Sequence, residues 1–314
     1  MAKKKILDKV IATKWPRTLG APYQGSKSQI AKWIVDQLPS QDYFVDLFGG
    51  GGAMAKAAMI SGKYPKGVIT NDFDGSGLRL FRDGMDGKYR DYDRFVTRDE
   101  FFNGGATPEE KLLFSYGNDG RTYAYGRVIE PVKKGIHEVI VPNDYDQAMR
   151  ACYELRGKIP GFKKSMCNDI VSAMDGKDLN GRRLAFQNMM AKQGFKERYY
   201  RPQHLERVDR VNSLQNIPNK DRFKFYNTSY EDVHIPENSL IYADPPYRGT
   251  KEYVANGFDS AKFDDWLRSN PQRVYISEYN MPDDFKIINS IEKSALMGNY
   301  NSKKVIENLY TNGK

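Results

Sequence analysis

Hydrophobic and polar positions alternate in two regimes along this chain. Between Ser28 and Leu38, the residues Ile30, Trp33, Ile34 and Leu38 recur at helical spacing, and Pro39 closes the helix. Tyr43-Phe44-Val45-Asp46-Leu47-Phe48 is an apolar run broken only by Asp46, as expected of a buried strand. Four glycines, Gly49 to Gly52, follow it, and then an Ala- and Met-rich helix to about Ile60. Gly67 to Asp72 reads as a second strand. Strand, glycine turn, helix and strand make a βαβ unit of a parallel sheet.

From about Arg98 this rhythm breaks. Gly- and Tyr-rich stretches such as Tyr116 to Tyr123 read as loops or hairpins, and polar helices are expected at Asp144 to Leu155 and His204 to Leu214. The α/β rhythm returns with strands at Phe223 to Tyr226, Ser239 to Ala243 and Val274 to Ser277. The expected organisation is an α/β catalytic domain, 17–97 plus 220–314, interrupted by a mainly helical insertion at 98–219. There is no internal repeat.

Length and composition fit this picture. The 314 residues suffice for one large domain or a domain with an insertion, and 39% hydrophobic with 28% charged residues is ordinary for a soluble protein. No stretch is apolar enough to span a bilayer, and the basic start Met1-Ala2-Lys3-Lys4-Lys5 lacks the apolar core of a signal peptide. A cytoplasmic, monomeric protein is expected. Cys152, Cys167, His137, His204 and His234 show no metal-binding spacing, so no metal is expected.

Charge changes the picture more. The formal net charge is +9, and Arg150 to Arg210 holds 14 Lys and Arg against 7 Asp and Glu. Such a field draws a polyanion, although a solvated helical surface can carry the same charges. Interleaved Phe162, Phe186, Phe195, Tyr199 and Tyr200 favour nucleic acid. In the insertion, Arg182 and Arg183 are candidate phosphate contacts, and Asn118, Arg121 and Tyr123 candidate base readers.

Two chemical signals flank the insertion. In Asp46-x-Phe48-x-Gly50-x-Gly52, glycines at a strand-to-helix turn let a cofactor approach the main chain, and Asp72, twenty residues after Gly52, can hold ribose hydroxyls. NAD, FAD and S-adenosylmethionine all present an adenosine to such a turn. Asp46 favours the last, because an acid there can hold an ammonium group and would repel a pyrophosphate. Gly20 to Ser28 nearly spells a phosphate-binding loop, but Ser26 intervenes before Lys27. The second signal, Asp244-Pro245-Pro246-Tyr247, follows an apolar strand. A carboxylate and the Pro245 carbonyl, stiffened by consecutive prolines, can accept hydrogen bonds from an exocyclic amine and aim its lone pair. Tyr247 offers a face for an extruded base.

These segments resemble the Dam-like (D12 class) adenine-N6 DNA methyltransferases, phage members included. Tyr23-Gln24-Gly25-Ser26-Lys27 looks like the family's first motif, Phe44 to Gly51 like its cofactor loop, Asn71-Asp72 like its ribose acid, and Asp244 to Tyr247 like its catalytic motif. The resemblance implies a Rossmann-like S-adenosylmethionine-dependent methyltransferase sheet with an inserted target-recognition domain, acting on double-stranded DNA. It implies that Tyr23 and Lys27 contact the methyl donor, and that Ser229 and Tyr230 lie beside its adenine, although the family often has an acid where this chain has Ser229. Gly249-Thr250, Tyr253 and Ile276-Ser277-Glu278-Tyr279 look like segments of phage-type members. The resemblance covers roughly 17 to 95 and 220 to 290 and leaves the insertion and the target sequence open. Two other functions compete: the same fold acting on cytosine N4, RNA adenine or a glutamine amide, and a non-catalytic DNA-binding descendant. Asp244 at the head of its motif speaks against cytosine N4 and glutamine, and the intact Asp46, Asp72, Asp244 and Tyr247 against the descendant.

Overall fold

The computed structural model describes residues 15–16, 18–248, 257–297 and 301–314. The basic N-terminal run, Gly249-Thr250 and Tyr253 lie outside the described residues. The described chain divides into two units. The first comprises the residues up to 20, with 26–73 and 218–314, and the second comprises 21–25 and 74–217.

The first unit is built on a seven-stranded sheet in the order β3-β2-β1-β4-β5-β7-β6. Its strands are β1 (Tyr43–Asp46), β2 (Gly67–Asn71), β3 (Phe223–Tyr226), β4 (Ser239–Ala243), β5 (Val274–Glu278), β6 (Lys286–Met297) and β7 (Asn301–Thr311). Strands β1 to β5 are parallel, and β7 enters antiparallel between β5 and β6. The apolar runs become strands because both faces are covered: β2 and β5 are buried at every residue. Val45, Ile69, Ile241, Val274 and Ile276 pack with Phe263 and Leu267 of the helix Ser260–Ser269. The helix Ala53–Ser61 is buried along nearly its whole length, which explains its Ala- and Met-rich, weakly amphipathic sequence. The five strands read from the sequence are all present. The β6–β7 hairpin was not anticipated.

The second unit is mainly helical. Among its described residues the sheet-like pairing is confined to the isolated bridges Ser115 with Tyr123 and Arg156 with Ile159. Its core joins Val132, Ile136, Val139, Cys152, Cys167, Phe186, Met190 and Leu205. The polar helices expected near 144 and 204 are Tyr145–Tyr153, capped by Asp144, and Gln203–Asn212. The expected boundary at 97/98 moves to 73/74. The helix Ser76–Met85 buries Leu78, Leu80 and Phe81 and packs against Pro108–Phe114 and Gln203–Asn212, so it belongs with the helical unit.

Inside this unit runs a hydrogen-bonded chain with a fixed direction. The Asp93 carbonyl can only accept, so His137 donates to it from Nε2 at 2.7 Å. His137 Nδ1 therefore accepts from His204 Nε2 at 3.1 Å, and His204 Nδ1 accepts from the Tyr125 hydroxyl at 2.7 Å. Burial, above all, pushes His137 down to about 4 and His204 well below the ordinary value. As pH falls through 6.5 the unfolded chain takes up protons that the folded unit refuses. Stability present above that pH is thus lost between about pH 6.5 and about pH 4, by roughly 3 kcal/mol for His137 alone. Urea midpoints at about pH 7 and about pH 5 check this: the second should be clearly lower, and equal midpoints would refute it.

Candidate functional site

The sheet changes direction of growth between β1 and β4, the point at which open α/β sheets bind ligands beyond the carboxyl ends of their strands. Three aspartates stand at those ends. Asp46 closes β1, Asp72 follows β2 and Asp244 follows β4.

Asp46 is 1% exposed, and neither carboxylate oxygen has a hydrogen-bond partner among the described residues. Burial first, and then the charge of Asp244, push its pKa well up, while the nearby Phe48 N–H favours its charge without completing a bond of ordinary geometry. A buried carboxylate so placed calls for a cation. Behind it the glycine turn is tight. Gly50 and Gly52 hold φ of 49° and 73°, and Gly49 donates to the Asn71 carbonyl at 2.6 Å. A side chain at Gly20 would collide with the Gly51 carbonyl, so the backbone at 20 lies directly on this turn.

Asp72 accepts from the Gly50 N–H through Oδ2 at 2.8 Å, which ties the acid at the end of β2 to the turn after β1. Asn71 donates to the carbonyls of Leu47 and Thr228, and Asn227 to those of Asp72 and Phe73. These two asparagines lace the turn, the acid and the 227–230 segment together. Their part was not read from the sequence. Phe48 and Tyr230 pack together at 5.7 Å between ring centroids, with Phe258 and Phe263 against both. Ser229 caps the short turn Tyr230–Asp232, and the Tyr230 hydroxyl has no hydrogen-bond partner among the described residues.

At β4 the geometry is that of an ion cluster. Lys27, 4% exposed, lies 2.6 Å from each oxygen of Asp244 and donates to the Tyr247 hydroxyl at 2.5 Å. Tyr247 donates in turn to Glu307 Oε1 on β7 at 2.6 Å. Lys27 is 3.5 Å from the same oxygen, and Lys293 of β6 is 2.6 Å from Glu307 Oε2. Burial opposes the Lys27 charge, but Asp244 and Glu307 outweigh it and hold the ammonium above the ordinary lysine range. Burial raises Asp244, and Lys27 counters that effect. Burial and the two carboxylates keep the Tyr247 phenol neutral.

Around this cluster, Tyr279 faces Tyr247 at 4.4 Å between ring centroids. Glu278 accepts from the backbone N–H of Tyr279 and of Arg248, and burial pushes its pKa up to about 7. Arg248 also pairs with Asp264, which anchors the chain just beyond the two prolines. Lys27, Asp46, Phe48, Gly50, Gly52, Asp72, Ser229, Tyr230, Asp244, Pro245, Pro246 and Tyr247 all belong to the first unit. Glu307, Lys293, Arg248 and Asp264 are charged residues here that sequence reasoning missed. For the first two the signal available was a lone Glu and Lys in polar strands, which burial alone makes notable.

The remaining expected residues lie in the second unit, and most are internally engaged. Tyr23 is half-buried. Asn118 takes a φ of 59°, and its carbonyl accepts from Gln24 N at 3.2 Å. Tyr123 is buried, with its hydroxyl on the Val96 carbonyl at 2.8 Å. Arg182 caps a helix end, donating to the carbonyls of Ile140, Val141 and Lys177. Arg183 pairs with Asp209. Of these residues, Arg121 presents an exposed side chain, as do Arg150, Arg156, Lys163, Lys164, Lys192 and Lys196 of the basic segment. Arg182 and Arg183 thus already have partners within this unit, backbone carbonyls for the first and Asp209, Gln187 and Asn180 for the second.

Among the described residues no helix is long and apolar enough to cross a membrane, and no group of three His, Cys, Asp or Glu is placed to hold a metal ion. Residues 23–93 match the family model described as D12 class N6 adenine-specific DNA methyltransferase. The match spans Lys27, Asp46, the glycine turn and Asp72, and it stops well before Asp244. No curated protein matches the chain.

Proposed function

From the match of residues 23–93 to the D12 class N6 adenine-specific DNA methyltransferase family, we propose that this chain is such an enzyme and transfers a methyl group from S-adenosylmethionine to N6 of an adenine extruded from duplex DNA at a specific sequence. The observation that carries this reading is the largely buried Asp244 carboxylate, ahead of two prolines, across the sheet's switch point from the unpartnered Asp46.

The residues suit the donor. Asp46 has the free carboxylate an ammonium group needs, Asp72 stands where ribose hydroxyls would be held, and Phe48 and Tyr230 offer flat apolar surface beside them. Phe73, 77% exposed directly after Asp72, adds another such face. When bound, S-adenosylmethionine supplies an electrophilic methyl group on a cationic sulfur. The protein's own part is to orient the amine. Asp244 and the Pro245 carbonyl accept hydrogen bonds from its two N–H groups, directing the lone pair outward and stabilising the positive charge that nitrogen gains until it gives up one of its protons. N6 is paired and stacked in duplex DNA, so the adenine has to leave the helix, and Tyr247 is the ring on which it would rest. Sequencing of methylated bases in DNA from cells expressing the protein tests the whole reading. N6-methyladenine at one recurring sequence is expected; methylcytosine, or no methylation, would overturn it.

The second unit is proposed to hold the DNA through its exposed cations. Six phosphate contacts would cost about 10³-fold in affinity between roughly 50 and 200 mM salt. Lys192→Ala and Lys196→Ala should each lower the slope of log affinity against log salt by about 1. Fluorescence anisotropy of a labelled duplex across a salt series checks this, and a flat series would remove the electrostatic role.

A further inference from the structure

The ion cluster contains more than the amine needs. An amine held by Asp244 has to compete with Lys27, which lies 2.6 Å from both oxygens of that carboxylate. A third Lys27 hydrogen goes to Tyr247. The lysine side chain is 3% exposed, so water cannot receive what Asp244 gives up. One further acceptor is within reach: Glu307 Oε1, at 3.5 Å.

We infer that Glu307 is a positioning residue, the second seat of the Lys27 ammonium, which moves from Asp244 toward Glu307 when the target amine takes the Asp244 carboxylate. The inference rests on the reading of Asp244 as the amine's acceptor.

Three features fit this role. Glu307 Oε1 already accepts from the Tyr247 hydroxyl, so the ring beneath the base and the lysine answer to one atom. Its other oxygen faces Lys293, which keeps its buried charge compensated whether or not Lys27 is close. Register supplies this pairing: Glu307 lies opposite Ile291 on β6, and Lys293 is two residues further along, on the same face. The hairpin's last strand thus brings in an anion and its neighbour the balancing cation. The other ionisable groups that face Lys27 are Tyr279, just after β5, and Asp46 on β1, and neither makes a hydrogen bond to its ammonium among the described residues.

Glu307→Gln tests this, because it keeps shape and an acceptor for Tyr247 while removing the charge. The single-turnover rate should fall about tenfold or more, with affinities for duplex DNA and for S-adenosylhomocysteine, measured by calorimetry, nearly unchanged. The alkaline limb of the pH–rate profile should move to lower pH, because Lys27 loses one of two carboxylates that keep it protonated. A rate near that of the parent, or a slower rate with an unmoved limb, would overturn the inference. Should Glu307→Gln fail to fold, Lys293→Gln decides. It leaves Glu307 in place but less well held as an anion, so the acid limb should move to higher pH, and an unmoved limb counts against the role. Asp244→Asn run in parallel separates the two readings. If it keeps its rate, the catalytic centre is wrongly assigned. If it loses its rate while Glu307→Gln does not, only the role of Glu307 fails.

Discussion

Asp244→Asn should lower the rate of methyl transfer by about 10²- to 10³-fold, the size seen when one preorganised partner of a developing charge is removed. The substitution keeps the side chain's shape and exchanges a carboxylate for a neutral amide. The amine of adenine gains positive charge as the new bond forms, so the carboxylate helps the transition state more than the bound substrate. The loss should therefore appear in kcat and leave KM nearly as it was. The fold should survive, because Lys27 keeps Glu307 and Tyr247 as neighbours when Asp244 becomes neutral. DNA affinity should survive as well, since the proposed phosphate contacts lie elsewhere. Single-turnover methylation of a duplex oligonucleotide measures it, and a rate close to the parent's would sink the assignment of the catalytic centre.

Asp46→Asn should move stability and binding in opposite directions. Without ligand, Asp46 is a buried carboxylate whose oxygens make no hydrogen bond among the described residues, and burial together with Asp244 opposes its ionisation. Replacing it with an amide of the same shape removes a charge that destabilises the empty protein, and a gain of about 1–3 kcal/mol is expected. The donor's ammonium would lose its charged partner, costing about 1.5–3 kcal/mol, or roughly 10- to 150-fold in affinity. Thermal melting without ligand and calorimetry with S-adenosylmethionine give the two numbers. A variant that melts lower, or that binds the donor as tightly as before, would show that Asp46 serves the fold and not the ligand.

Much of the first unit was legible because its signals are local. An apolar run ending in Asp46 and four glycines can hardly form anything but a strand and a tight turn, and Asp244-Pro245-Pro246-Tyr247 declares itself by order alone. The β6–β7 hairpin was not legible. Lys286–Met297 and Asn301–Thr311 are rich in Lys, Asn, Ser and Glu, and the burial of Glu307 follows only from β7 entering between β5 and β6. The helical unit was hard to read for a different reason. Polar residues in a Gly-rich loop suggested reach toward DNA, but Tyr123 turned inward to a carbonyl, and Arg182 was taken up by a helix end. A sequence shows which groups can bond; it does not show which partners the fold delivers to them first.

Lys27 and Asp244 are 217 positions apart, and they meet only across a finished sheet. Closing so long a stretch of chain costs conformational entropy that no local contact in either segment returns. The ions cannot leave water until the strands around them have assembled, so the pair cannot serve as an early foothold. A half-folded chain therefore carries every reactive residue and no reactive centre. Catalytic competence is thus a property of the assembled sheet and of no segment of the chain alone.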